Sequence, residues 1–327
     1  MTTQSSDLNE DMQELIELHP ERGQRNMRLD RFVAEEVPDL SRSYIQQLIT
    51  DGSILVDGQV RRSSFKVTPG EVITVEVPEI EETEIIPEDI PLDVLFENDD
   101  ILMINKAPGM VVHPAAGHAS GTLVNAVLHH APEIAHFGGE RSGIIHRLDK
   151  DTSGVMVVVK SDRAHDSLVE QWLGRSVVKR YTALVTGVID EDTATINVPI
   201  SRNTVNRQQM STSRSGREAV THFTVLERFT ETTLLDLTIE TGRTHQIRVH
   251  LDFIGHPVVG DPLYGNKVSA RIGDELGLKR QFLHARELEF AMPGSDDRRA
   301  FTAPLASDLA AALENVRAAE EREDDES

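Results

Sequence analysis

"HRLDKDTSGVMVVVKS" spans His146 to Ser161. Its first nine residues hold His146, Arg147, Asp149, Lys150, Asp151, Thr152 and Ser153 and end on Gly154. The next five, Val155-Met156-Val157-Val158-Val159, are apolar without a break. A short apolar run bounded by turn chemistry reads as a strand buried on both faces. The polar segment therefore opens onto the most buried strand of the chain, and Thr152, Ser153 and Gly154 are expected to turn the backbone sharply into it. Rigid elements hold reactive groups more accurately than free loops do. Charge at the mouth of such a strand points to a site, although an Arg147–Asp149 ion pair that merely closes a turn is the bland alternative.

Metal and phosphate chemistries fit the segment poorly. Asp149, Asp151, Ser153 and Gly154 take positions one, three, five and six of a calcium loop, but Lys160 stands where a bidentate glutamate belongs, and a strand follows in place of a helix. His-Arg-Leu-Asp echoes a kinase catalytic loop, yet a leucine intervenes, the downstream asparagine is missing and no glycine-rich loop precedes it. His245 and His250, the closest approach to a zinc pair, are five apart and do not share a helical face. The chain has no cysteine, which excludes disulfides, thiolate catalysis and cysteine-held zinc. A second dense polar stretch, "TGRTHQIRVH" (Thr241–His250), follows the apolar run Leu234–Ile239. Two strands that each release a charged cluster at their ends suggest one site assembled between them. A carboxylate facing an arginine there is a candidate nucleophile or general base.

The whole chain sets the frame. Its 327 residues suggest about two domains, and 39% hydrophobic residues suffice for a sizeable core. No stretch approaches the ~20 apolar residues of a membrane span, and the polar first twenty residues do not resemble a signal peptide. A cytoplasmic location and no membrane partner are expected. The net charge of −22 argues at first sight against nucleic acid. Its distribution changes that reading: residues 1–20 carry −5, residues 67–105 carry −12 and residues 307–327 carry −6, which leaves the remainder at +1. Solubility is the ordinary explanation of such acidic runs, and local basic patches remain possible.

Residues 1–25 are expected to be disordered or loosely helical. Residues 26–77 read as a miniature domain. Leu29, Phe32 and Val33 repeat at helical spacing, as do Ile45, Leu48 and Ile49 in a helix that Ser41 or Ser43 could cap, with Gln46 closing a capping box. Ile54–Val56 and Val72–Val75 read as short strands. Arg22, Arg25, Arg28, Arg31, Arg42, Arg61, Arg62 and Lys66 cluster in this region. Residues 78–92 are acidic and proline-spaced, an extended linker. Residues 93–306 then read as a larger strand-rich unit: two strands about an Asn98-Asp99-Asp100 turn, a helix over 122–130, strands near 155–160, 180–188, 219–226, 234–240 and 286–291, and helices over 162–173 and 244–254. After Ala303 the chain is helical in propensity, and residues 307–327 read as an acidic tail.

Several motifs in this order resemble a known family. "GIIHRLDKDTSGVMVVVKS" resembles the catalytic motif of the RluA/RluD family of pseudouridine synthases; "KRYTALVTG" (Lys179–Gly187) is similar to its tyrosine motif, and "TGRTHQIRVHLDFIGHPVVGDPLYG" (Thr241–Gly265) to its arginine motif and the following turn. "INKAPGMVVHP" (Ile104–Pro114) and "FLHARELEFAMP" (Phe282–Pro293) also fit. Ser142 stands where the family commonly has proline, and Ala107 lies in a stretch that is often proline-rich. Ahead of these, the segment from Arg28 to Val75 resembles the small RNA-binding domain of the S-four type: R-L-D, then S-R, a Q-x-L-I helix, a G-x-I-x-V-D-G hairpin and a late P-G-E-x-I.

The resemblance implies an α+β fold, a mixed, mainly antiparallel sheet with flanking helices, beside a small α/β RNA-binding domain. It implies an isomerase that detaches the base of a uridine already in RNA and rejoins it through carbon five, without cofactor or metal. Asp149 would attack the sugar or the base, or remove a sugar proton. Arg248 is the expected guanidinium beside it, which would favour the charged form, with Arg243 as the alternative. Tyr181 would stack under the uracil or act as a base. Everting the nucleotide costs a few kcal/mol. His146 and Arg147 resemble the family's inserting pair, and a long cationic side chain could fill the vacated space and meet phosphate. His245 joins Arg243 as a substrate contact, while Arg28, Arg31, Arg42, Arg61, Arg62 and Lys66 would dock RNA. The expected partner is a stem-loop of 23S large-subunit ribosomal RNA, free or in pre-ribosomal particles; no DNA partner is expected, and a monomer is the default. A non-catalytic RNA-binding factor and a nucleosidase acting on free nucleosides are the competing classes; the retained Asp149, Tyr181 and Arg248 argue against the first and the RNA-binding domain against the second.

Overall fold

The computed structural model describes residues 14–37, 42–77, 85–113, 120–136, 142–203 and 209–326. The chain divides into two units, Met1–Glu84 and Ile85–Ser327.

The first unit contains β1 (Glu14–Leu18), α1 (Leu29–Glu36), α2 (Arg42–Asp51), β2 (Ile54–Val56), β3 (Gln59–Val60) and β4 (Ile73–Val77). Its strands form an antiparallel sheet in the order β1-β4-β2-β3. The helical spacing read from sequence has a direct packing counterpart. Leu29, Phe32 and Val33 of α1 and Ile45, Leu48 and Ile49 of α2 are buried together with Ile54, Val56, Ile73 and Val75 of the sheet. Disorder through residue 25 is not what is found: Glu14–Leu18 pairs with Ile73–Val77 along its whole length. Ile16 and Leu18 alternate with acidic residues and pack on the core, a period-2 pattern concealed by the acidity around it. Ser41 and the Ser43 side chain lie outside the described residues. Gln46 donates its amide to Asp30 Oδ2 at 2.9 Å.

The second unit contains β5 (Val94–Glu97), β6 (Ile101–Lys106), α3 (Leu123–His130), β7 (Ser153–Val159), α4 (Asp162–Leu173), β8 (Val178–Thr186), β9 (Thr193–Asn197), β10 (Ile200–Arg202), β11 (Met210–Thr212), β12 (Val220–Arg228), β13 (Thr232–Ile239), α5 (Gln246–Phe253), α6 (Lys267–Glu275), β14 (Leu283–Ala291), β15 (Arg298–Thr302) and α7 (Ser307–Glu326). Nine strands form one sheet, β5-β6-β7-β14-β8-β13-β12-β9 with β15 beside β14, and β10-β11 form a separate hairpin. Among the described pairings of this sheet only β7–β14 is parallel, so the fold is mixed and mainly antiparallel, as the resemblance implies.

The apolar run 155–159 is the strand β7, and it is buried throughout because both faces are covered. Met156 and Val158 pack with Leu102, Ile104 and the α3 residues Leu123, Val124 and Val127. Val155, Val157 and Val159 pack on the opposite face with Ala164 and Leu168 of α4, Phe290 and Phe301. Ser153 and Gly154 belong to the strand and do not form the expected turn. Gly154 has φ +120°, and a Cβ there would lie 2.1 Å from the Ala285 carbonyl oxygen; only glycine lets β14 run this close. Ser142, at φ +42°, holds a conformation that the proline ring forbids.

Two boundaries differ from the sequence reading. The later part of the expected linker belongs to the second unit: Ile85 and Leu92 pack against the α3 cluster, Asn125 donates its side-chain amide to the Ile86 carbonyl at 2.8 Å, and the Glu88 N–H donates to the Asn125 carbonyl at 3.0 Å. The expected acidic tail is the helix α7. Its Leu309, Ala312, Leu313 and Val316 join the core under β8 and β13. That spacing is an i, i+3, i+4, i+7 stripe inside an acidic composition. Among the described residues no helix is long and apolar enough to cross a membrane.

Candidate active site

The segment 145–152 leads into β7 and is clamped along its length. Leu148 is 5% exposed and anchors in the α3 core, so the next side chain, Asp149, is turned into a cavity of about 1320 Å³. The Thr152 N–H closes a turn onto the Asp149 carbonyl at 3.1 Å. Lys106 donates to the Lys150 carbonyl at 2.9 Å, and Arg280 Nη1 to the Asp151 carbonyl at 2.9 Å. Gln281 donates to Thr152 Oγ1 at 3.2 Å, and His284 Nδ1 lies 2.9 Å from Ser153 Oγ.

Asp149 meets Arg248 across 99 residues of chain: Nη1 donates to Oδ2 at 2.9 Å. The guanidinium is itself fixed from behind. Its Nε and Nη2 donate to Asp261 Oδ2 and Oδ1 at 2.7 and 2.9 Å, a two-pronged pairing that suits the planar fork of arginine. Asp261 is fully buried at its side chain, and its Oδ1 also accepts the Leu263 and Tyr264 N–H groups at 2.8 and 3.0 Å. These bonds and Arg248 hold its carboxyl below the usual range although burial acts the other way. Arg248 also lies 5.0 Å from the Tyr264 ring centroid. The result is a buried row, Asp261–Arg248–Asp149, whose outer carboxylate is 20% exposed and keeps Oδ1 clear of Arg248.

His245 stands on the other side of that oxygen, with Nε2 at 4.0 Å from Oδ1. It caps α5 in the left-handed region, φ 56°, a sparsely populated conformation for a residue with a Cβ. The Tyr264 hydroxyl accepts the Met210 N–H at 2.8 Å and lies 2.8 Å from His245 Nδ1. Burial pushes this imidazole below its ordinary value, so it is neutral at neutral pH.

Tyr181 lines the same cavity from β8, paired in register with Leu237 and Ala285. Burial, and then the charge of Asp149, push its phenol well above the ordinary range. It stays protonated at neutral pH, which disfavours the base and leaves the stacking surface. Arg147 is exposed at the cavity wall. His146 differs from the inserting cation that its position suggests. Its ring packs on Trp172 with centroids 4.9 Å apart, its Nε2 accepts the Val157 N–H at 3.1 Å, and burial, with the charge of Lys179, pushes it down to about 3. It is a neutral acceptor that ties the segment to β7. Arg243 lines the cavity too, but its Nε donates to the Glu218 carbonyl at 2.9 Å; Arg248, not Arg243, reaches Asp149.

In the first unit Arg28 pairs with the buried Asp30 at 2.9 and 3.0 Å, and Arg31 with Glu35 at 2.9 Å. Arg61 lies over the Phe65 ring at 5.3 Å. Arg62 and Lys66 are exposed, and Lys66 is joined to Arg28 by a β-bridge. The Arg42 side chain lies outside the described residues.

Four residues complete the site with little sequence signal of their own. Asp261 and Tyr264 sit in the turn "GDPLYG", which follows the arginine motif but announces no contact. Lys106 ends β6; its ammonium donates to the carbonyls of Ala107, Met110 and Lys150 at 2.8–2.9 Å, and burial pushes it down to about 7. Three acceptors need all three N–H bonds of the charged form. Arg280 is held by Asp308 of α7 through bonds of 2.7 and 2.8 Å.

Known proteins share this arrangement of sequence. Residues 100–253 match the sequence model of the RNA pseudouridylate synthases, and residues 27–73 that of the S4 domain. The uncharacterized RNA pseudouridine synthase YlyB of Bacillus subtilis is 44% identical over 303 residues, covering 92% of this chain and 98% of its own. The ribosomal large subunit pseudouridine synthase D of Pseudomonas aeruginosa is 45% identical over 289 residues, 86% and 89% of the two chains, and that of Escherichia coli 42% identical over 311 residues, 93% and 94%. Among solved structures, human RNA pseudouridylate synthase domain containing 4 superposes with a TM-score of 0.56 at 26% identity, over 69% of this chain and 93% of that one. With relatives above 40% identity over nearly its full length and both family models matched in order, the chain belongs to the RNA pseudouridylate synthase family, enzymes that isomerise uridine in RNA, and carries an S4 domain ahead of its synthase unit.

Proposed function

We propose that this synthase acts on uridines in stem-loops of 23S large-subunit ribosomal RNA in the cytoplasm, as a monomer, and that Asp149 is the group that reacts at the everted nucleotide. The substrate class rests on the relatives named for the large ribosomal subunit. The site reading rests on one observation above the others: Asp149, Arg248 and Tyr181, from three separate motifs, line one cavity.

In the reaction the N1–C1′ bond breaks, the uracil rotates, C5 bonds to C1′, the C5 proton leaves and N1 gains a proton; atoms and charge balance without a co-reactant. Arg248 orients the carboxylate through Oδ2, so Oδ1 faces the ribose. From there it adds to C1′ or C6, or takes a sugar proton. Tyr181, protonated, offers its ring as the floor for the turning base. Arg147 is the side chain placed to enter the stack, and the cations of the S4 domain add sequence-independent phosphate affinity. Mapping pseudouridine in total RNA from cells with and without this protein tests the substrate. Loss of one or more positions in large-subunit ribosomal RNA is expected; an unchanged ribosomal map with losses only in transfer RNA would overturn it.

A further inference from the structure

The cavity that holds Asp149 is larger than one nucleotide needs. At about 1320 Å³ it exceeds the ~300–1,000 Å³ of a typical small-ligand pocket. Its second part is walled by His165, Val169, Trp172 and Leu173 of α4 and by Arg175, Lys179 and Arg217. Leu173 is 80% exposed, an apolar side chain presented at the rim.

Lys179 is the unusual group there. It stands two residues before Tyr181 on β8, so both side chains face the cavity while Arg180 between them pairs with Glu287 on the other face. Lys179 is 7% exposed. Among the described residues its ammonium has one hydrogen bond, to the neutral carbonyl of Glu240 at 3.3 Å. A buried ammonium so thinly satisfied is costly unless an anion joins it, and burial pushes it below its ordinary value. The nearby acids are engaged with other partners: Glu218 pairs with Arg175 at 2.5 Å, and Glu240, which also lines the cavity, pairs with His222 at 2.7 Å and lies 3.9 Å from Arg175. Two residues along a strand is roughly 7 Å, a step comparable with the phosphate spacing of an extended nucleic-acid strand.

We propose that Lys179, with Arg175 and Arg217 at the rim, is a subsite for an RNA backbone phosphate flanking the target uridine, reached when Tyr181 holds the everted base. This rests on the reading of the cavity as the uridine site. The alternative is a lysine that only props the Glu240 carbonyl.

The test uses full-length protein and an unmodified transcript of the large-subunit ribosomal RNA, with affinity measured across a salt series. Lys179→Met keeps the length of the chain and removes the charge. It is expected to bind about tenfold more weakly, to lower the slope of log affinity against log salt by about 0.7–0.9, and to lose turnover mainly through KM. Lys179→Arg is expected to keep the slope. If the methionine variant does not fold, as judged by its melting curve, Lys179→Gln carries the same expectation. A wild-type slope in the uncharged variant, or a loss confined to kcat, overturns the subsite while wild-type activity leaves the functional reading standing. A wild-type protein that neither binds nor modifies the transcript overturns both.

Discussion

A single carboxylate is held here by a partner that is itself held. Asp261 fixes Arg248 with two bonds and the Leu263 and Tyr264 N–H groups fix Asp261, so Arg248 presents Nη1 to Asp149 with little freedom left. Lysine cannot reproduce that fork. Arg248→Lys is expected to lower kcat/KM by about 10²–10³-fold with a small change in melting temperature, measured by nucleoside analysis of treated RNA. Asp261→Asn, which weakens the support alone, is expected to cost roughly 10–100-fold. His146 offers a pH test. Its folded value of about 3 lies below the ordinary value near 6.5, so between these the unfolded chain binds a proton that the folded chain does not. Stability therefore falls as pH drops from about 6.5 toward 3. His146→Gln keeps an acceptor for the Val157 N–H but cannot titrate, and denaturant melts across that range are expected to show a shallower acid loss. That Asp149, Tyr181 and Arg248 would line one cavity was legible because each lies in a quoted motif. His146 was misread because adjacency to Arg147 in sequence says nothing of which side of the backbone a ring takes; here it turns inward onto Trp172.

At the scale of elements, the site depends on β7 and on what reaches across to it. The apolar run made the strand legible, and α4 follows it over the expected residues, 162–173. The strand β14 was expected near 286–291, but its parallel pairing with β7 was not legible, because pairing between distant segments leaves no local pattern. Gly154→Ala places a methyl into the Ala285 backbone; we expect a loss of about 2–4 kcal/mol in stability, read from denaturant melts. Helical propensity after Ala303 was legible, but the docking of α7 was not, because its dense acids read as a solvated tail; Leu309, Leu313 and Val316 are buried, each worth roughly 1.5–3 kcal/mol on full burial. It also reaches the site: Asp308 holds Arg280, and Arg280 holds the Asp151 carbonyl. Asp308→Ala is expected to lower kcat about tenfold, a loss that Asp308→Glu partly restores; an unchanged kcat in the alanine variant would show that the catalytic segment does not need this clamp.

Over the whole molecule the charge is segregated. The net −22 lies in segments that are neither the cavity of the second unit nor the basic surface of the first, which is why a strongly acidic protein can work on RNA. Arg61, Arg62 and Lys66 are exposed on the S4 domain. Reversing all three to glutamate in the full chain is expected to weaken binding to ribosomal RNA by at least tenfold at moderate salt and to flatten its salt dependence; an unaltered salt slope would remove this surface from the binding account. Fold class and unit order were legible because motifs and periodicity are local. The strand β1 and the supports at Asp261, Lys106 and Asp308 were not, because each depends on a partner far away in sequence.

The most direct measurement is pseudouridine formation by purified Asp149→Ala on an unmodified large-subunit ribosomal RNA transcript, with RNA affinity measured on the same sample. The wild type is expected to convert uridine, and the variant to bind RNA within a few-fold of the wild type and form no pseudouridine. Product at a near wild-type rate from a chain without that carboxylate would contradict the account at its centre.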